Sequence, residues 1–219
     1  MSTRRSFEEQ LDLLNQEILR MGVLVEEALR KAIDSLVGKD LELAQRVVEE
    51  DKAINRMQQQ IEDQCIALIA REQPVASDLR RLITGLKIVT QLERIGDHAL
   101  HVAKGTLRLA GQTYMKKLVD IPRIAEIGIG MTRDALTAFL NHDAELAREV
   151  AGRDQAVDDL HDQVIRELFT YMMENTKYIS QAITFLFISR FLERVADHVT
   201  NICEWVVYSV TGEHVELNL

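Results

Sequence analysis

"DLELAQRVVEEDKAIN" runs from Asp40 to Asn55, and "DAELAREVAGRDQAVD" runs from Asp143 to Asp158. They align without a gap at an offset of 143 − 40 = 103. Both lie in helix-period patterns, with Val47, Ile54, Ile61, Cys65 and Leu68 running through and beyond the first and Val150, Val157, Val164, Leu168 and Tyr171 through and beyond the second. A second repeated string follows: "LERIGDH" from Leu92 and "LERVADH" from Leu192, offset by 193 − 93 = 100. Three residues are therefore lost between the paired strings. One helical unit has been written twice.

The units complete themselves outward from these strings. Leu11, Leu14, Ile18, Met21, Val25, Ala28 and Ala32 form one apolar seam, which Ser6 and Glu9 open as a capping box and Gly38 closes. Asp40 caps the next helix, which stops before Pro74. A third follows Ser77 or Asp78 through Leu79, Leu82, Leu86, Val89, Gly96, Leu100, Ala103 and Leu107. Pro122 suits the first turn of a fourth helix that runs to about Leu140. A fifth follows Asn141 or Asp143, and a sixth runs from Ile179 or Ser180 to Thr211, ended by Gly212. The expected fold is all-α: six long helices in two tandem, similar antiparallel three-helix bundles, residues 1–110 and 122–219, joined by a linker at 111–121.

Composition narrows the function. Only 2 prolines and 10 glycines punctuate 219 residues, which favours long helices. A net charge of −9 without a basic block argues against nucleic acid and polybasic membrane surfaces. Cys65 and Cys203 show no metal spacing and no disulfide framework, so a reducing, cytoplasmic setting is expected. "MSTRRSFEEQ" lacks a signal-peptide core, and the most apolar run, "AITFLFISRF" from Ala182, is too short to span a bilayer and contains Arg190.

Carboxylates fall where the seams call for apolar residues. Glu93 follows Leu86 and Val89, and Glu193 follows Leu186 and Ser189; Asp97 and Asp197 lie one turn on. Asp51 falls between Val47 and Ile54, and Asp154 between Val150 and Val157, with Asn55 and Asp158 one turn later. His101 and Asn201 extend the rows by another turn. Buried carboxylates repel and take up protons unless paired or bound to a cation. Two oxygen-rich metal sites are expected, suited to Fe, Mn, Mg or Ca. The competing reading is ion pairing by Arg94, Arg190, Arg194 or Arg80. His98 and His198 suit helix-crossing contacts better than ligation, and His161 a polar core position. No Gly-rich phosphate loop and no Ser/His/Asp or Cys/His set emerges.

"LERIGDH", "LERVADHVTNICEWVVYSVTGE", "YMMENTKYISQAI" and "EQPVASDLR" resemble the PhoU family over nearly the whole chain. The resemblance implies a duplicated three-helix bundle with metal-contacting Asp51, Glu93 and Asp97 in one copy and Asp154, Asp158, Glu193 and Asp197 in the other. Asn55 stands where the motif has Asp, so the first site is expected to be the weaker or differently loaded one. The resemblance also implies a cytoplasmic, dimeric regulatory adaptor rather than an enzyme. It would lower phosphate-starvation signalling and phosphate uptake through contacts with a phosphate ABC importer, at its ATPase subunit, and with a sensor histidine kinase. The alternative from the residues alone is a di-metal carboxylate-bundle oxidase or hydrolase.

Overall fold

The structure is a computed structural model that describes residues 2–217, with side chains described from residue 7 onward. Six helical arms follow one another and no strand occurs among the described residues: α1 (Ser2–Gly38), α2 (Leu41–Glu72), α3 (Ala76–Arg108), α4 (Asp120–Asn141), an interrupted fifth arm of α5 (Ala144–Ala151) and α6 (Asp154–Glu174), and α7 (Ile179–Thr211). A short 3-10 turn (Thr176–Tyr178) leads into α7.

The ends follow local chemistry. Asp40 accepts from the Leu43 backbone N–H, and Asp143 accepts from those of Glu145 and Leu146, so the two matching strings begin with the same cap. Gly212 ends α7 at φ 78, a left-handed conformation that glycine adopts without strain. Two expected starts shift. With neither Gly nor Pro ahead of it, α1 begins at Ser2, so Ser6 lies inside the helix; its side chain falls outside the described residues. α3 begins at Ala76 after an extended Val75 with no side-chain cap, one residue earlier than Ser77.

The fifth arm departs from a single helix. Gly152 and Arg153 break it, and the Arg153 N–H bonds Val150 O across the break. Gly152 replaces Glu49 of the first repeat (152 − 103 = 49), a residue of low helix propensity in a good helix former's place. Arg153 clamps the break through ion pairs to Asp134 and Glu149. Asp154 is thus the first residue of a helix, whereas its counterpart Asp51 sits mid-helix.

One apolar core runs through both repeats, from Leu11, Ile18 and Met21 to Phe185, Val199 and Cys203. α3 and α7 make the most extensive helix–helix contact, so the repeats share their largest seam. A Cβ at Gly105 would come 2.8 Å from Ile188; the missing side chain lets α3 and α7 approach. Gly96 likewise lets α3 approach α2, where Ile54 lies 3.1 Å from the position a Cβ would take. Leu79, expected on the third helix's seam, faces outward at 36% exposed, and so does Ile179 at the start of α7, 40% exposed.

Candidate metal centre

α2 and α3 bring Asp51, Glu93 and Asp97 together. Burial raises the Asp51 carboxyl above its ordinary value and the Asp97 charge adds to this, while Lys104, Asn55 and His101 oppose it. Glu93 is likewise raised, first by burial, then by Asp97. Asn55 Nδ2 donates to Asp51 Oδ2 at 3.4 Å. Oδ1 of Asp51 and Oδ1 of Asn55 are buried and accept no hydrogen bond. His101 turns away: it is exposed, its Nδ1 donates to its own helix at Asp97 O (2.7 Å), and its ring stacks on Phe191.

α6 and α7 bring Asp154, Asp158, Glu193 and Asp197 together. Burial pushes Glu193 up to about 7, helped by Asp197 and opposed by Arg190. It pushes Asp154 up to about 6, with Asp158 and Asp197 adding to it. Asp158 is also raised, by burial and then Asp197. Glu193 is only 7% exposed, and its Oε2, like Asp154 Oδ1, accepts no hydrogen bond. Asn201 is half-buried on the same helix, one turn beyond Asp197.

Arginines occupy part of both clusters. Arg94 reaches Glu93 at 3.5 Å and Asp97 at 3.6 Å; Arg190 pairs with Glu193, and Arg194 with Asp197 at 3.3 Å. Among the described residues no three His, Cys, Asp or Glu side chains already surround one ion position. The arginine side chains are 48–58% exposed, so these pairs are weak and easily opened to solvent. They leave the four buried oxygens above unsatisfied, which costs about 1–3 kcal/mol each. The donor set is oxygen-only with carboxylates four apart on facing helices, and this suits a hard cation.

Histidines at the repeat crossing do other work. His98 and His198 stack on each other, and Phe191 stacks on His98. His161 is buried on α6 with Nδ1 2.8 Å from Ser189 Oγ. The break before Asp154 was not anticipated from the sequence; Gly152 inside a helical run was its signal. No helix among the described residues is long and apolar enough to cross a membrane.

Comparison with known proteins matches this architecture in sequence and in shape. The chain is 39% identical over 217 residues, 99% of each chain, to the phosphate-specific transport system accessory protein PhoU homolog of Clostridium acetobutylicum. It is 36% identical to the phosphate-specific transport system accessory protein PhoU of Escherichia coli, covering 94% of this chain and 86% of that one. The crystal structure of PhoU from Pseudomonas aeruginosa superposes with a TM-score of 0.89 at 40% identity, covering 94% of this chain and all of that one (100%). That of the phosphate transport system regulatory protein PhoU from Streptococcus pneumoniae gives 0.89 at 35%, covering 96% and 99%. The family model for the PhoU domain matches twice, at residues 18–106 and 121–206, each match spanning one copy of the repeated unit. With both copies matched and relatives alike over nearly their full lengths, the chain belongs to the PhoU family.

Proposed function

We propose that this chain is a metal-binding regulatory adaptor of phosphate homeostasis. It restrains phosphate uptake and phosphate-starvation signalling by contacting a phosphate ABC importer, at its ATPase subunit, and a sensor histidine kinase. It works in the cytoplasm as a homodimer. The observation that carries the phosphate role is the likeness, over nearly the whole chain, to accessory proteins of phosphate-specific transport systems. Those names also favour an adaptor over a di-metal oxidase or hydrolase.

The buried Oε2 of Glu193 without a partner supports the metal. A hard cation (Fe, Mn, Mg or Ca) would neutralise the clustered carboxylates. Asp154, Asp158, Glu193 and Asp197 would hold it in the second copy, with Asn201 at the edge. Asp51, Glu93 and Asp97 would hold it in the first, with Asn55; His101, turned to Phe191, would stay outside. Arg94, Arg190 and Arg194 would swing to solvent. Each ion would tie the mid-helix of α3 or α7 to its neighbouring helix and so stiffen the surface offered to partners.

Deletion of the gene tests the phosphate role. Expected are raised phosphate uptake and a starvation reporter active in phosphate-rich medium, both reversed by the wild-type gene. Unchanged uptake and reporter activity would overturn it. Elemental analysis of the purified protein beside Glu193→Ala and Asp197→Ala tests the metal; equal content in all three would refute it. Turnover of a phosphoester, or oxygen consumption, by the metal-loaded protein would favour the enzyme reading instead.

A further inference from the structure

Acid is absent from two segments of this acidic chain. His98–Val119 holds no Asp or Glu, and neither does Asn175–Leu192, although the chain carries 35 of them. The same segments carry Lys104, Arg108, Lys116, Lys117, Lys177 and Arg190. In the fold they adjoin. α3 and α7 run antiparallel, with Thr84 bonded to Trp205 O at one end and Gly105 against Ile188 and Thr184 at the other. The acid-free ends of the two helices therefore lie side by side.

This surface is also apolar. Ile179, Ile183 and Phe187 recur at steps of four on α7 and are 40%, 44% and 50% exposed. Phe187 stacks on Phe191 (centroids 6.4 Å apart), and Phe191 on His101 of α3 (4.7 Å). Beside this row stand exposed Lys104 and Arg108, themselves four apart on α3. Lys104 is felt electrostatically at Asp51, but neither it nor Arg108 forms an ion pair with a described residue.

We propose that the outer face of α7 from Ile179 to Phe191, edged by Lys104 and Arg108 of α3, docks an acidic amphipathic helix of a partner protein. From Ile179 to Phe187 the row spans eight helical steps, about 12 Å, which is roughly two turns of an opposing helix. Its half-sunken side chains form a ridge that fits between the side chains of such a helix. Glu or Asp residues four apart beside the partner's apolar stripe would meet Lys104 and Arg108. An anionic membrane fits less well: the chain's net charge of −9 is repelled by anionic lipid. The inference rests on the adaptor reading for the partner's role, while its surface and chemistry come from the fold.

A labelled synthetic helical peptide is the probe, with Leu at steps of four and Glu at steps of four alongside, titrated into the full chain and followed by fluorescence anisotropy. The expected result is saturable binding. It weakens at least about tenfold in Lys104→Glu/Arg108→Glu and in Phe187→Ser, and is unchanged in Arg46→Glu on α2. A peptide with Lys in place of Glu should bind the Lys104→Glu/Arg108→Glu protein, a rescue that misfolding cannot produce. No binding of the acidic peptide, or equal binding by all variants, would overturn the proposal. So would stronger co-sedimentation with phosphatidylglycerol vesicles than with neutral ones, abolished by Phe187→Ser. A failed titration leaves the gene-deletion result standing, and a failed deletion test leaves the titration standing.

Discussion

The rings of His98 and His198 lie 5.2 Å apart and 24° from parallel, so the two repeats touch at the same residue of the same motif. They are satisfied unequally. His198 Nδ1 donates to Gln91 Oε1 at 2.8 Å, while both ring nitrogens of His98 are buried without a partner. Burial, with His198, His101, Arg194 and Arg94 adding to it, pushes His98 down to about 3. Stacking, not hydrogen bonding, holds this side chain. His98→Leu should therefore leave the unfolding free energy within about 1 kcal/mol of wild type or raise it, because unpaired polar atoms leave the interior. Gln91→Leu should cost about 1–2 kcal/mol by orphaning His198. Denaturant midpoints at neutral pH decide; a large loss in His98→Leu alone would contradict the assignment.

Acid and base pull these groups in opposite directions. Glu193 titrates near 7 in the fold against 4.5 in the free chain, and Asp154 near 6 against 3.8. A raised carboxyl makes the folded state bind more protons, so its contribution to stability falls as pH rises between those values. In metal-free protein Glu193→Gln should thus become progressively more stable than wild type, by Tm, from pH 4.5 to 7. His98 is lowered from 6.5 to about 3, so its cost appears as pH falls below 6.5, and the gap between His98→Leu and wild type should widen in that direction. A chelator-treated Tm series across pH, in all three proteins, reads both slopes. Adding the bound metal should erase the Glu193 slope, since the cation takes the proton's place.

The first cluster has three carboxylates where the second has four, because Asn55 stands opposite Asp158. Asn55→Asp should raise metal affinity at the first cluster roughly tenfold, since ligand charge count tunes such sites. It should also lower metal-free stability by adding a like charge near Asp51. Calorimetric titration on an Asp154→Ala/Glu193→Ala background isolates that cluster; unchanged affinity would show that Asn55 does not face the ion.

Close approach of α3 and α7 depends on Gly105. A leucine there would drive into Ile188, whose side chain lies 2.8 Å from the Cβ position. Gly105→Leu should cost about 1–3 kcal/mol by overpacking. Ile188→Ala alone should cost about 2–5 kcal/mol through the cavity it leaves. The double variant should be less unstable than the sum of the two, and that coupling is the measurement.

Much of this was legible in the sequence, for reasons that can be named. Seams such as Leu11–Leu14–Ile18–Met21 and Val47–Ile54–Ile61 have only one way to bury themselves, and the 103-residue offset forces the second half to repeat the first. Caps at Asp40 and Asp143 are local, so a few residues decide them. Site detail is not local. Spacing puts Glu193 on the seam, but which of its oxygens meets Arg190 and which is left alone depends on packing from α6. His101 extends the acidic row in sequence yet turns to Phe191, a residue of the other repeat. Ile179 reads as seam in the linear string but is 40% exposed, because nothing there marks which neighbour is missing.

Gly152 and Arg153 turn one arm of the second repeat into two pieces, and the break ends at Asp154. In the first repeat the matching carboxylate rides a continuous rod of 32 residues. Rod and joint differ mechanically. In the proposed sites Asp51 would be held by its own unbroken helix, whereas Asp154 would be held by the break that Arg153 pins to Asp134 and Glu149. Under the proposed metal role, duplication would thus have left one chain with two differently mounted clamps, built from two versions of one sixteen-residue string.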